Sequence, residues 1–222
     1  MQELFDPAQE AMPPEERKKY FDERAKWVVD YAYKNCPGVR ERLNKIGVDP
    51  SQVKCVKDLE KIPILSREEL LKAQRADPPY GGFLAVPPQS VKRIFVSPGP
   101  LYDVFDDQQL RRVFSRQLFA AGFREGDIVI NTFSYHLVPA GLGVDGALRD
   151  MRIMVIPAGT GNSEVQVQIM REMGVTGYMG TPSFLKTLID RANERGYNFR
   201  QDFKLKYASI GGEILSPSLR QS

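Results

Sequence analysis

The chain has 222 residues, 42% of them hydrophobic, with 31 basic and 28 acidic side chains, a net charge of +3 and a single histidine. That apolar content in a chain of this length builds a real core and excludes disorder as the main state, and a near-balanced charge with scattered basic residues excludes a nucleic-acid surface. Cys36 and Cys55 are too few for a zinc site or a disulfide framework, and no apolar run approaches the roughly 20 residues of a membrane span, so a cytoplasmic protein with no membrane role is expected.

Residues 1–13 are polar, contain Pro7 and Pro13, and read as a loose arm. From Pro14 to Lys34, Phe21, Ala25, Val28 and Ala32 recur at spacings of three and four, predicting an amphipathic helix with Tyr20, Trp27 and Tyr31 packing beside the apolar face. A shorter helix from Val39 to Ile46 ends at Gly47, and Ser66-Arg-Glu-Glu69 is a capping box that opens a helix reaching about Arg75. The breakers Asp77-Pro-Pro-Tyr-Gly-Gly82 and Pro87-Pro88 follow, so residues 1–80 are expected to form a mainly helical segment and residues 81–222 an α/β subdomain.

After the breakers the period changes. Apolar runs at Arg93–Ser97, Asp127–Phe133, Arg152–Pro157, Val175–Gly180 and Leu205–Ile210 read as strands covered on both faces, separated by helical patterns at Asp106–Ala121, Ser163–Met173 and Pro182–Arg195. Ser163-Glu-Val-Gln166 reads as a capping box, and Thr181 as an N-cap with Pro182 at the first helical position. The alternation predicts a doubly wound, mostly parallel α/β sheet. The last strand runs into Gly211-Gly-Glu213, and Ser216-Pro217 opens another helix just before the sequence stops, so the domain reads as truncated at its C-terminal end.

In such a sheet the loops at the carboxyl ends of the strands form the ligand crevice. The loop Ser97–Tyr102 is poor in what holds phosphate, because Pro98 and Pro100 each remove an N–H donor and no Thr or Lys follows. Gly141, Gly143 and Gly146 match a dinucleotide pattern, but the match lies past its strand and no acidic residue ends the next one, so close packing of a glycine-rich helix explains it better. His136 directly follows a strand, which leaves a ligand role open beside a surface one; Ala158–Ser163 and Gly180–Ser183 are either simple turns or ligand-lining loops.

Taken in order, Arg93-Ile-Phe-Val-Ser-Pro-Gly99, Tyr135-His136 with Gly141-Leu-Gly143, Val155-Ile-Pro-Ala-Gly-Thr-Gly-Asn162, Gly180-Thr-Pro-Ser-Phe184 and Ile210-Gly-Gly-Glu213 resemble the phenylacetate–CoA ligase branch of the acyl-adenylate-forming enzymes, as do Asp58–Leu70 and Gly82–Pro87 upstream. The resemblance covers nearly the whole chain and about the first half of a family member. It implies activation of a small carboxylic acid, an aromatic one among the candidates, by ATP and Mg²⁺, followed by transfer to coenzyme A. By resemblance, Gly211, Gly212 and Glu213 lie where the family holds adenine, and Tyr135, His136, Gly180, Thr181 and Pro182 lie near the acid pocket. The phosphate loop falls on Ser97, Gly99 and Tyr102 in degenerate form, with Asp103 adding a negative charge.

The family's Mg²⁺-binding Thr-Glu element, ribose Asp and catalytic Lys domain have no counterpart up to Ser222, so no residue here is expected to be catalytic and no metal ligand is assigned. Three readings follow: the amino-terminal portion of an acid–CoA ligase, inactive alone; a noncatalytic binding or partner module of the same fold; and, remotely, a nicotinamide-dependent oxidoreductase. The unfinished sheet implies a homodimer or pairing with a missing C-terminal half.

Overall fold

The computed structural model of the chain describes residues 3–105 and 107–221, so the expected helix start at Asp106 lies outside the described residues. The chain divides into two compact units, Pro7–Phe105 and Met1–Asp6 with Asp106–Ser222. The segment that follows the breakers near residue 80 therefore groups with the helices as far as Phe105.

In the first unit, α1 (Pro7–Glu10) is a single turn and α2 (Pro14–Asn35) opens with Pro14 and with Glu15 and Glu16 facing its positive end. Its buried stripe is Ala25 and Val29, and Val29 packs with Leu43 of α3 (Pro37–Lys45) and with Val53. Ala25 is buried as expected, but the rest of the face is rotated: Phe21 and Val28 are 51% and 46% exposed, because α3 and the following turn cover the neighbouring stripe. Trp27 is also outside, stacked on Tyr31 at 5.2 Å with the Arg24 guanidinium 4.4 Å from its ring centre. The capping box of α4 (Arg67–Ala76) forms as read, Ser66 Oγ accepting from Glu69 N at 3.1 Å and Glu69 Oε2 from Ser66 N at 2.8 Å.

The first apolar run does not join the parallel sheet. β1 (Ile94–Ser97) pairs antiparallel with β2 (Leu101–Val104), from Ile94 opposite Val104 to Ser97 opposite Leu101, as a separate hairpin. The short Pro98-Gly-Pro100 connection is the cause, since it reverses the chain and a parallel neighbour requires a long crossover. Gln74 of α4, only 5% exposed, completes the edge of β2: its amide donates to Tyr102 O at 2.8 Å and accepts from Tyr102 N at 2.9 Å.

The second unit contains α5 (Asp107–Ala120), β3 (Ile128–Asn131), α6 (Ala140–Asp150), β4 (Met154–Ile156), α7 (Ser163–Glu172), β5 (Gly177–Gly180), α8 (Pro182–Glu194), α9 (Phe199–Asp202), β6 (Tyr207–Ile210) and α10 (Pro217–Gln221). Its sheet has the order β4-β3-β5-β6, every pair parallel. Alternate side chains of the central strands serve opposite cores: Val129 and Met179 pack with Leu118, Val144 and Leu148 of α5 and α6, whereas Ile130 and Tyr178 pack with Val167, Met170 and Leu188 of α7 and α8. Full coverage is confined to the centre, since β5 is buried throughout while β6 alternates between half-buried and exposed positions.

Two further expectations are corrected here. The amino-terminal arm is anchored rather than loose, with the Phe5 ring 5.8 Å from Phe119 and Asp6 accepting from Arg112 Nη2 at 3.4 Å. The Ser163–Gln166 box does not form: the N-cap of α7 is Asn162, in the left-handed conformation, and Gln166 Nε2 instead donates to Gly159 O and Gly161 O at 3.0 and 2.7 Å, holding the loop before the helix. Among the described residues no helix is long and apolar enough to cross a membrane.

Candidate functional site

Strand order places the topological switch point between β3 and β5: the chain leaves β3 towards β4, then crosses over to β5. At the carboxyl ends of these two strands lies a cleft of about 430 Å³. Phe133, Val138, Ala140 and Phe184 supply its apolar wall, and Thr132, Ser134, Thr160, Thr181, Ser183 and Thr187 supply hydroxyls; no lining side chain is charged.

Most of those hydroxyls already serve the protein. Thr181 Oγ1 accepts from Phe184 N at 3.3 Å as the cap of α8, Thr187 Oγ1 donates to Ser183 O at 3.1 Å, and Ser134 Oγ donates to His136 O at 3.2 Å. What the cleft offers a ligand is therefore chiefly the two phenylalanine rings and their aliphatic neighbours, with the amino end of α8 at one side.

The rim is shaped from beneath by two buried side chains that the sequence reading did not single out. Asn131, the last residue of β3 and fully buried, donates through Nδ2 to Tyr135 Oη at 2.8 Å and to Gly141 O at 2.9 Å, and accepts from Phe133 N at 3.2 Å. It thus ties the strand end, the 133–135 loop and the start of α6. Tyr178, also fully buried, accepts from Thr132 Oγ1 at 3.1 Å and donates to Thr181 O at 2.9 Å, which fixes the turn into α8. Burial pushes the Tyr178 phenol up to about 12. A polar residue closing an otherwise apolar strand run, as in Ile128-Val-Ile-Asn131, is the one sequence signal for Asn131.

Of the residues expected at the acid pocket, Thr181 lines the cleft, while Gly180 and Pro182 are buried on either side of it in the chain. Tyr135 is half-buried but outside the lining, with its hydroxyl donating to Asp145 Oδ2 at 3.2 Å; burial, then the Asp145 charge, raises its pKa above the ordinary value. His136 is exposed and also outside the lining.

The expected adenine residues sit on the neighbouring turn. Gly211 N donates to Gly180 O at 3.1 Å, continuing the β5–β6 ladder, and Glu213 Oε1 accepts from Ser183 N at 2.6 Å in the first turn of α8. Hydrogen bonds from Ser183, its hydroxyl and its N–H, hold the Glu213 carboxyl below the usual range. Gly212 has φ near +85°, which a side chain disfavours, and a Cβ there would lie 3.5 Å from Thr181 Cγ2.

Ser97, Gly99 and Tyr102 belong to the hairpin of the other unit: Ser97 ends β1, Gly99 is in the exposed turn and Tyr102 is in β2. The three spaced glycines are all inside α6. A Cβ at Gly141 would be 2.5 Å from Ser134 O and one at Gly143 2.8 Å from Leu110 Cδ2, so they allow close approach of the 134 loop and of α5. Among the described residues no three His, Cys, Asp or Glu side chains group to hold a metal ion.

No family model matches the chain. It is 31% identical over 225 residues to phenylacetate-coenzyme A ligase of Thermus thermophilus, covering 98% of this chain and 49% of the relative. It is 33% identical over 226 residues to the Pseudomonas putida phenylacetate-coenzyme A ligase, covering 99% and 50%. Among solved structures it is similar to 2-hydroxyisobutyryl-CoA ligase in an open conformation with 2-HIB-AMP and CoA, with a TM-score of 0.93, 27% identity, and coverage of 99% of this chain and 50% of that one. The same ligase in its postadenylation state with 2-HIB-AMP gives a TM-score of 0.90 at 28% identity, covering 96% and 46%. The chain thus spans about half the length of the curated relatives it matches.

Proposed function

From the premise that the chain belongs to the phenylacetate–CoA ligase branch of the acyl-adenylate-forming enzymes, we propose that it is the acid-recognising, amino-terminal portion of an ATP-dependent acid–CoA ligase. The observation that carries this reading is the uncharged cleft at the β3–β5 switch point, with Phe133 and Phe184 in its wall and the Gly211–Glu213 turn beside the Thr181 cap. The cleft takes the side chain of a small, aromatic carboxylic acid, and the glycine turn takes the adenine of the acyl-adenylate, because glycines let a flat ring approach the backbone. Tyr135 and His136 order the loop that carries Phe133 and Val138. ATP, Mg²⁺ and coenzyme A are the cofactors of the complete reaction. The setting is the cytoplasm.

Adenylation depends on positioning and on charge stabilisation of phosphoryl oxygens, and the hydroxyl-rich loop and Lys that supply these in the family are replaced here by Ser97-Pro-Gly-Pro-Leu-Tyr-Asp103. This chain alone is therefore a binding half rather than a catalyst. The same replacement favours a second reading, a noncatalytic module of this fold.

Both parts are tested on the chain of 222 residues. Acid-dependent exchange of labelled pyrophosphate into ATP is expected to stay at the no-protein level, and turnover clearly above it refutes the binding-half assignment. Calorimetry with a nonhydrolysable phenylacetyl-adenylate analogue is expected to show saturable binding that Val138→Arg, which places a charge in the apolar wall, weakens at least about tenfold. No binding, or binding indifferent to Val138→Arg, moves the chain to the noncatalytic reading.

A further inference from the structure

The hydroxyls that line the cleft at the β3–β5 switch point are not equivalent. Five of them are engaged within the chain: Thr132 with the Tyr178 hydroxyl, Ser134 with the His136 carbonyl, Thr187 with the Ser183 carbonyl, and Thr181 and Ser183 with one another at 3.3 Å. Thr160 also lines the cleft, and its hydroxyl has no hydrogen-bond partner among the described residues. The residue is exposed, so a ligand reaches that hydroxyl without breaking an existing bond.

The backbone on either side of Thr160 is clamped. Gly159 and Gly161 have φ of +65° and +80°, which side chains disfavour, so the loop bends at both and Thr160 is the one side chain between them. Gln166, 3% exposed, donates through Nε2 to Gly159 O at 3.0 Å and to Gly161 O at 2.7 Å, and Gly159 N donates to Asn131 O at 3.0 Å. Gln166 Oε1 is left buried with no partner among the described residues, so the polar bonds of this amide all go to the loop. A buried acceptor without a partner is unfavourable, and here it accompanies the clamp that fixes the Thr160 backbone. Threonine is branched at Cβ and has few rotamers, so a fixed backbone confines its hydroxyl to a narrow range of positions.

From this arrangement we infer that Thr160 is a specificity-determining residue: the cleft selects an aryl acid whose ring carries a neutral hydroxyl, which pairs with Thr160 Oγ1, and Gln166 is the positioning residue for that contact. A ring hydroxyl both donates and accepts, and so matches a threonine hydroxyl whose donor and acceptor sites are both open. Phe133 and Phe184 give the ring an apolar wall. A second carboxylate or an ammonium on the ring would be desolvated with no counter-ion, because no lining side chain is charged. An unsubstituted ring would cover the Thr160 hydroxyl and leave it without a partner, which is how a site built for a hydroxyl rejects the analogue that lacks it. The inference rests on the acid-cleft reading proposed above and narrows its substrate class.

The test is calorimetry of the full chain with nonhydrolysable adenylate analogues of phenylacetate, of its ortho-, meta- and para-hydroxylated forms, and of the matching ring-methylated forms. One hydroxylated analogue is expected to bind about three- to tenfold tighter than both the phenylacetyl analogue and its own methyl counterpart, the scale of one neutral hydrogen bond. Thr160→Val, close in shape, should abolish that preference and leave the affinity for the phenylacetyl analogue within about twofold. Thr160→Ser keeps the hydroxyl and should retain the preference. Gln166→Leu should reduce the preference and spare the phenylacetyl analogue; if that variant fails to fold, the two Thr160 variants decide. Hydroxylated and methylated analogues binding alike, a preference that survives Thr160→Val, or a loss on Thr160→Val that is equal for every analogue overturns the inference and leaves the acid-cleft reading standing. Binding of none of the analogues overturns both.

Discussion

Gly180→Ala is the substitution that most directly probes how the cleft is held. Gly180 has no positive φ that would favour glycine, so the demand at this position is for space. A methyl group there would overlap Thr132 Oγ1 and Tyr178 Oη and would lie 2.7 Å from Tyr178 Cζ. Neither neighbour has anywhere to go, because Tyr178 is 0% and Thr132 4% exposed. Forcing extra volume into a packed core costs about 1–3 kcal/mol. Breaking the Thr132–Tyr178–Thr181 relay leaves a buried hydroxyl unsatisfied at about 1–3 kcal/mol more. The expected loss is about 2–6 kcal/mol, against a total of about 5–15 kcal/mol for a domain of ordinary stability. Urea denaturation followed by far-ultraviolet circular dichroism measures it. The same Gly180→Ala change made in a Thr132→Ala/Tyr178→Phe background removes both overlapping oxygens, so its increment should fall by at least about 1 kcal/mol. A wild-type increment below about 0.5 kcal/mol, or equal increments in the two backgrounds, refutes the steric argument.

Two further outcomes are expected. Glu213 titrates lower in the folded chain than in the unfolded one, so its stabilising effect is complete above the ordinary glutamate pKa of about 4.3 and is lost as pH falls through the depressed folded value; the urea midpoints of wild type and Glu213→Gln should therefore differ at neutral pH and converge in acid, and a gap that persists well below the carboxylate range would dissociate Glu213 from Ser183. The edge strand β6 exposes Ala208 and Ile210 and is followed by Ile214, 89% exposed, so the chain should sediment as a dimer or larger species; a well-behaved monomer at high concentration contradicts this.

Local features were legible where the determinants were local. The Ser66–Glu69 box and the Thr181-Pro182 start of α8 formed as read, because a cap is a bond between residues three apart and needs nothing else from the fold. The parallel sheet of β3 to β6 followed from apolar runs alternating with helical periods, whereas the crevice did not, since the loop Ser97–Tyr102 that was expected in it belongs to a separate hairpin. Where two local solutions competed, tertiary demand decided: Gln166 closes the 159–161 carbonyls instead of a capping box, and Ala25, expected on the apolar face of α2, is buried with Val29 while Phe21 and Val28 of that face stay outside.

By itself, then, the sequence determined the longer helices, the β3–β6 runs and the family to which their order belongs, since propensity, capping and period act over a few residues, whereas the single turns α1 and α9 were not read from it. Only the tertiary structure decided that Arg93–Ser97 turns back on Leu101–Val104, that Gly180 is required by Thr132 and Tyr178, and that Asn131 anchors the cleft rim. Each depends on contacts between residues distant along the chain, and such contacts exist only after the elements have packed.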